Sequence, residues 1–194
     1  MSIEQFTVQP TFVIVTAIAL AVVGIIVLVT GLIIRPLEAP KLYSFGRVRV
    51  GKGTRRVAFI IAGTILIGTG VGLYALGGIP STITVGSGYV YIQSPPFFGA
   101  GNMNTTSSEI ASAYVGQIGS GNLTLSKQDG TNAGNLNIGV FTLGNGHTAY
   151  VVSDNSTDLI IQLKNGDYAV LGASRTNALA TSFSQSVYNL NLTN

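Results

Sequence analysis

Three consecutive stretches decide the architecture: FVIVTAIALAVVGIIVLVTGLII (12–34), RPLEAPKLYSFGRVRVGKGTRR (35–56) and VAFIIAGTILIGTGVGLYALGGI (57–79). Neither apolar run holds a charged residue. The segment between them carries Arg35, Lys41, Arg47, Arg49, Lys52, Arg55 and Arg56 against one acid, Glu38. Those seven are most of the 10 Lys and Arg residues in a chain of 194. Each run is 23 residues long, and at about 1.5 Å per residue that covers a hydrocarbon core of about 30 Å with some tilt. Two membrane-spanning helices are expected, forming a hairpin over residues 1–80. Short loops rich in Lys and Arg stay on the cytoplasmic side, so the basic loop is expected inside and both termini outside.

Small residues recur within the spans: Ala17, Ala21, Gly24 and Gly31 in the first, Gly63, Gly68, Gly70 and Gly72 in the second. Stripes of this kind let helices approach closely, so Ala17, Ala21, Gly24, Gly63, Gly68 and Gly72 are expected to pack the spans on each other or on a helix of another membrane-protein subunit. Lipid is the other expected partner. The segment Met1 to Pro10 is acidic at Glu4 and has no basic residue, unlike the start of a secretory signal, so the first span is read as an anchor. Gly46 to Thr54 approaches the phosphate-binding loop pattern, but Gly53 stands where Ser or Thr must follow the Lys, and a span rather than a soluble helix comes next. A basic loop beside anionic headgroups explains the same residues.

Residues 81–194 form the second expected domain. Its basic residues are Lys127, Lys164 and Arg175, against Glu109, Asp129, Asp154, Asp158 and Asp167. That slightly acidic balance excludes a nucleic-acid surface. Cysteine is absent, so an exoplasmic domain here is held by packing and not by disulfides. Four N-x-Ser/Thr sequons, at Asn104, Asn122, Asn155 and Asn191, all follow Pro80 and are expected glycosylation sites. Few charges, no Cys and many Gly, Ser, Thr and Asn resemble surface proteins of thermoacidophilic archaea.

After Pro80 the apolar period becomes two. Ser81 to Val85 and Tyr89 to Gln93 read as a hairpin across Gly86-Ser87-Gly88. A second pair is expected at Glu109 to Gln117 and Asn122 to Ser126, with Asp129-Gly130 as a turn. Gly139 to Leu143 and Thr148 to Val152 flank Asn145-Gly146; Leu159 to Lys164 and Asp167 to Leu171 flank Asn165-Gly166. Asn-Gly there predicts tight hairpins whose two turn residues both take positive φ. From Ser174 the period turns helical, with Leu179, Phe183, Val187 and Leu190 on one face behind a Ser174 or Thr176 cap.

The run Gly139-Val-Phe-Thr-Leu-Gly-Asn-Gly-His-Thr-Ala-Tyr-Val-Val, the run Leu159-Ile-Ile-Gln-Leu-Lys-Asn-Gly-Asp-Tyr-Ala-Val-Leu and the closing helix with Phe183 resemble the small prokaryotic pleckstrin-homology-like domains of membrane proteins. The resemblance covers about Ser81 to Tyr188 and is strongest over the last fifty residues. It implies an antiparallel β-barrel or sandwich closed by a C-terminal α-helix, and no catalytic set. Lipid binding is not carried over, because the three basic residues are scattered.

Chemistry has few anchors. His147 is the sole histidine, so a multi-histidine metal site is excluded, and its place after Asn145-Gly146 reads as a surface turn. Asp154 and Asp158 bracket Asn155-Ser156-Thr157 and could offer oxygens to calcium, yet the Gly and distal Glu of the helix-loop-helix calcium loop are missing. Tyr89, Tyr91, Phe97 and Phe98 surround Pro95-Pro96 and suit either a headgroup or partner contact or the packing of the first hairpin. No catalytic residue, cofactor or metal site is assigned. The expected function is that of a non-enzymatic integral membrane protein, an accessory or assembly subunit of a larger envelope complex; the alternative is an extracellular receptor module for a ligand or glycan.

Overall fold

The structure, a computed structural model, describes residues 3–33, 52–95, 99, 101–118, 124–133 and 136–188, without the side chains of 52–55, 127 and 128. The chain divides into two compact units, Val13–Ala75 and Met1–Phe12 with Leu76–Asn194.

The first unit holds two helices, α1 (Thr11–Ile33) and α2 (Lys52–Gly77). Both are long and apolar enough to cross a bilayer, α2 over Arg56–Gly77. The helix α2 starts earlier than the apolar run, because Lys52 to Arg56 are already helical, and it stops at Gly77 ahead of Gly78 and Pro80. Residues 34–51, most of the basic loop, lie outside the described residues.

Contact between the helices follows a seven-residue spacing of small side chains. Ala17, Gly24 and Gly31 are buried on α1, and Gly63 and Gly70 on α2. A Cβ added at Gly63 would lie 2.7 Å from the Leu28 amide nitrogen and 2.8 Å from the Gly24 carbonyl; one at Gly70 would lie 2.7 Å from the Ala17 carbonyl. Backbone thus touches backbone in an antiparallel register, which only glycine permits here. The same test at Gly68 and Gly72 meets nothing within 4 Å, so these two belong to the open side of α2. Thr30 and Thr64 return their hydroxyls to the carbonyls of Ile26 and Ile60, which satisfies both hydroxyls in an apolar setting. Outward side chains such as Ile18, Val22, Ile25, Leu32, Ile65 and Val71 are exposed, as suits a lipid-facing surface.

The second unit is mainly β. The strands are β1 (Glu4–Val8), β2 (Ser81–Gly86), β3 (Tyr89–Gln93), β4 (Asn102–Thr106), β5 (Ile110–Gly116), β6 (Leu125–Ala133), β7 (Leu136–Leu143), β8 (Thr148–Ser153), β9 (Asp158–Leu163) and β10 (Tyr168–Gly172). They form two sheets, ordered β1-β2-β3-β4 and β5-β9-β10-β8-β7-β6. Neither sheet closes on itself, and β8 runs parallel to β10, so the expected all-antiparallel barrel gives way to two open sheets. A C-terminal helix, α3 (Thr176–Ser186), packs against β2 of one sheet and β9 of the other. Leu179 and Phe183 are fully buried in that junction. The Ser186 carbonyl accepts the Gly88 N–H at 2.8 Å, which fastens the helix end to the β2–β3 hairpin.

The first and the last two expected hairpins are present: β2–β3, β7–β8 and β9–β10 pair antiparallel. Their chemistry differs from expectation at the Asn-Gly turns. Gly146 and Gly166 have φ of 84° and 93°, but no non-glycine residue among those described has positive φ. The Gly146 N–H bonds the Leu143 carbonyl and the Leu143 N–H bonds the His147 carbonyl, with the same pattern at Leu163, Gly166 and Asp167. Each is a three-residue loop in which only the glycine is left-handed.

The expected pair of Glu109 to Gln117 with Asn122 to Ser126 is not formed. Instead β5 pairs β9, and Asp129-Gly130 lies within β6, where Gly130 faces Gly139 of β7 in register. Both glycines have φ near 145° and approach too closely for any Cβ, so what reads as a turn is a close backbone approach inside a strand pair. The N-terminal segment, which carried no strand expectation, pairs with β2 as β1 and buries Phe6 and Val8.

Candidate functional site

Among the described residues, the connection from β8 to β9 creates a polar cluster in the interior of the β unit. These strands do not pair; β10 lies between them, so residues 154–157 must cross over the end of β10. Two inter-strand spacings, about 9.6 Å, are within reach of four residues. Ser153 stands opposite Gly172 of β10, and Asp158 opposite Gly116 of β5. Ser153 and Asp158 reach each other across Gly172, and the Ser153 hydroxyl lies 2.5 Å from Asp158 Oδ1. A side chain at 172 would occupy the space of both groups, which is why glycine stands there.

Asp158 is 1% exposed, and its Oδ2 is buried with no hydrogen-bond partner. Asp154 is half-buried; it accepts a bond from the backbone N–H of Gln9, just past β1, while its Oδ1 is buried and unpartnered. Burial pushes the Asp158 carboxyl up to about 6, with the nearby Asp154 charge acting in the same direction, and burial raises Asp154 as well. The Ser153 hydroxyl also touches the Asn155 carbonyl and N–H, each at 3.2 Å. Asn155 in turn donates its side-chain amide to the Ala173 carbonyl at 3.4 Å and the Thr176 hydroxyl at 3.3 Å, tying the loop to the start of α3. The helix starts there without a side-chain cap; Thr176 donates to the Ala173 carbonyl, and Ser174 is exposed. Among the described residues no group of three acidic, His or Cys side chains is placed to hold a metal.

The other singled-out residues are dispersed. His147 is exposed, its ring beside Gly166 and tilted at 58° to the Tyr168 ring with centroids 6.5 Å apart. Tyr89 and Tyr91 alternate with buried Val90 and Ile92, so they lie half-buried on the outer face of the first sheet. Tyr91 is in register with Asn104 on the edge strand β4. Asn104 is exposed, whereas the amide of Asn155 is engaged as described. Phe97, Phe98, Asn122, Leu190 and Asn191 lie outside the described residues. A cavity of about 310 Å³ lined by Asn104, Glu109, Leu163 and Lys164 opens beside β4. There the Glu109 carboxylate accepts the Thr106 N–H at 2.8 Å and hydroxyl at 2.9 Å, which hold it below its usual range.

The Asp158 environment had a faint sequence signal: an acid directly ahead of the apolar run Leu159-Ile160-Ile161, in a strand whose first four residues are all buried. No protein-family model, curated protein or solved structure matches this chain.

Proposed function

We propose that this chain is a non-enzymatic integral membrane protein, an accessory or assembly subunit of a larger membrane or envelope complex. The observation that carries the reading is the helix pair. Its contact is made by glycine backbone, while its outward apolar side chains and the Gly68 and Gly72 side of α2 remain uncovered by protein. In a bilayer that surface faces lipid or the helices of other subunits, and small residues are where such helices approach.

Pairing of β1 with β2 supports the topology. One strand precedes the first span and the other follows the second, and strands bonded to each other must share one side of the membrane. With the basic loop inside, that side is exoplasmic, and the exposed sequon asparagine Asn104 is then available to glycan transfer. A kinship with pleckstrin-homology-like domains rests on the sequence of β7 to α3 and on the terminal helix; the open sheets and the parallel β8–β10 pair weigh against it.

The second reading, an extracellular receptor for a ligand or glycan, is favoured by the outer face of the first sheet. Tyr91 is flanked in register by Thr84 and Asn104, and Tyr89 lies on the same face of β3, so this part of the surface is uncharged and aromatic. Native mass spectrometry of the detergent-extracted protein separates the two. Co-purifying protein chains support the subunit reading; a lone chain carrying a small molecule supports the receptor and removes the first.

A further inference from the structure

The cluster at the β8–β9 crossing has no part in either functional reading. It is nonetheless unusual chemistry: two acidic side chains near each other, each with a buried oxygen that meets no donor. Among the described residues, the elements packed around them bring no balancing charge. On β8 the neighbour is Ser153, on β10 Gly172, on β5 Gly116, after β1 the backbone of Gln9, and on α3 Thr176 with exposed Arg175 at its cap. Among the described residues none forms an ion pair with Asp154 or Asp158, and the charged group that acts on Asp158 is Asp154.

Two ionised carboxylates in this position would leave acceptors without donors and a buried negative charge without a partner, an unfavourable arrangement in a water-poor interior. A proton removes the conflict. It turns an Asp158 oxygen into a donor, which the Ser153 hydroxyl accepts across their short contact while itself donating to the Asn155 carbonyl. A hard divalent cation would suit the site less well, since it asks for about six oxygens and only two carboxylates are present.

We propose that Asp154 and Asp158 are a proton-held latch: a single proton retained by the pair keeps the 154–157 loop closed over β10 and fastened to α3 and the end of β1, and its loss toward neutral pH loosens that corner. The corner is where three parts of the β unit meet, namely the segment after β1, the second sheet and the helix start. The device therefore makes the β unit firmer in acid. The raised Asp158 value gives the sign: the stabilisation is complete below the unfolded value of 3.8 and is lost as pH rises through about 6. A rise from 3.8 to about 6 corresponds to a change on the order of 100-fold in the folding equilibrium. Glu109, whose value is lowered, works in the opposite sense, so the latch is read as a difference between variants.

The test is the urea unfolding midpoint of the full chain in detergent, followed by near-ultraviolet circular dichroism of its tyrosines from about pH 3.5 to 7.5. The wild type is expected to weaken steadily across about pH 4 to 6.5. Asp158→Asn keeps the shape, supplies a permanent donor and carries no charge. It is expected to flatten most of that fall and to match or exceed the wild type at neutral pH. Asp154→Asn should flatten it less, since burial is the larger cause of the raised Asp158 value and the Asp154 charge the smaller. Equal pH profiles for wild type and both variants would overturn the proposal, as would an Asp158→Asn protein weakened equally at every pH. A midpoint at neutral pH raised by millimolar calcium chloride, with the rise abolished in Asp158→Asn, would also overturn it and assign the pair to a cation.

Discussion

Replacing Phe183 by alanine tests whether α3 is the element that joins the two sheets. The ring is 0% exposed, and its helix touches β2 on one side and β9 on the other. A phenyl ring so enclosed removes some 150–200 Å² from water, worth about 4–5 kcal/mol at 25 cal/mol per Å². Truncation of a buried Phe costs about 3–5 kcal/mol once the cavity is included. At roughly 4 °C per kcal/mol for a domain of this size, the melting temperature should fall by about 12–20 °C. Gln185→Ala, an exposed change on the same helix, should shift stability by less than about 0.5 kcal/mol. The assay is thermal melting of the full chain in detergent, read by near-ultraviolet circular dichroism. Equal melting temperatures for the two variants would refute the idea that α3 is docked through Phe183.

Gly172→Ala should destabilise the β unit by about 1–3 kcal/mol, because the added methyl collides with Asp158 and Ser153, and chemical denaturation measures it. In the helix pair, Gly70→Ala should lower the thermal stability of the helices in detergent, because its Cβ would lie 2.7 Å from the Ala17 carbonyl and 2.9 Å from the Ala21 amide nitrogen, whereas Gly72→Ala, with nothing within 4 Å, should leave it unchanged; far-ultraviolet circular dichroism measures both. Mass analysis of the native protein should show glycan lost with Asn104→Gln and unchanged with Asn155→Gln, because Asn104 is exposed and the Asn155 amide is already donating to Ala173 and Thr176.

What could be read from the sequence was local. Uninterrupted apolar length marked α1 and α2, glycine between alternating runs marked three hairpins, and the Leu179 to Phe183 spacing marked α3. The strand β1 was missed because Phe6 and Val8 give only two beats of alternation, and its partner is more than seventy residues away across both spans. Asp129-Gly130 looked like a turn because glycine signals positive φ without saying whether the chain reverses. Nothing near Ser153 or Asp158 announces that β10 slips between their strands; that order depends on pairings set by the whole sheet. The burial of Asp158 follows from the same crossing, and the apolar run Leu159-Ile160-Ile161 directly after it was its one sequence signal. On the helices, seven-residue spacing marks the contact, with Gly63 and Gly70 on α2; the expected packing set held Gly68 and Gly72, which lie on the open side, and did not include Gly70.

The membrane hairpin with its β unit on the outer side is tested most directly by cysteine labelling, which is clean because the chain has no native cysteine. Ser174→Cys places a thiol on an exposed position after β10, and Ser44→Cys places one in the basic segment between the spans. A membrane-impermeant maleimide added to intact cells is expected to modify Ser174→Cys fully and Ser44→Cys only after the membrane is opened. Modification of Ser44→Cys in intact cells, or of both positions from the same side, would contradict the hairpin and its orientation.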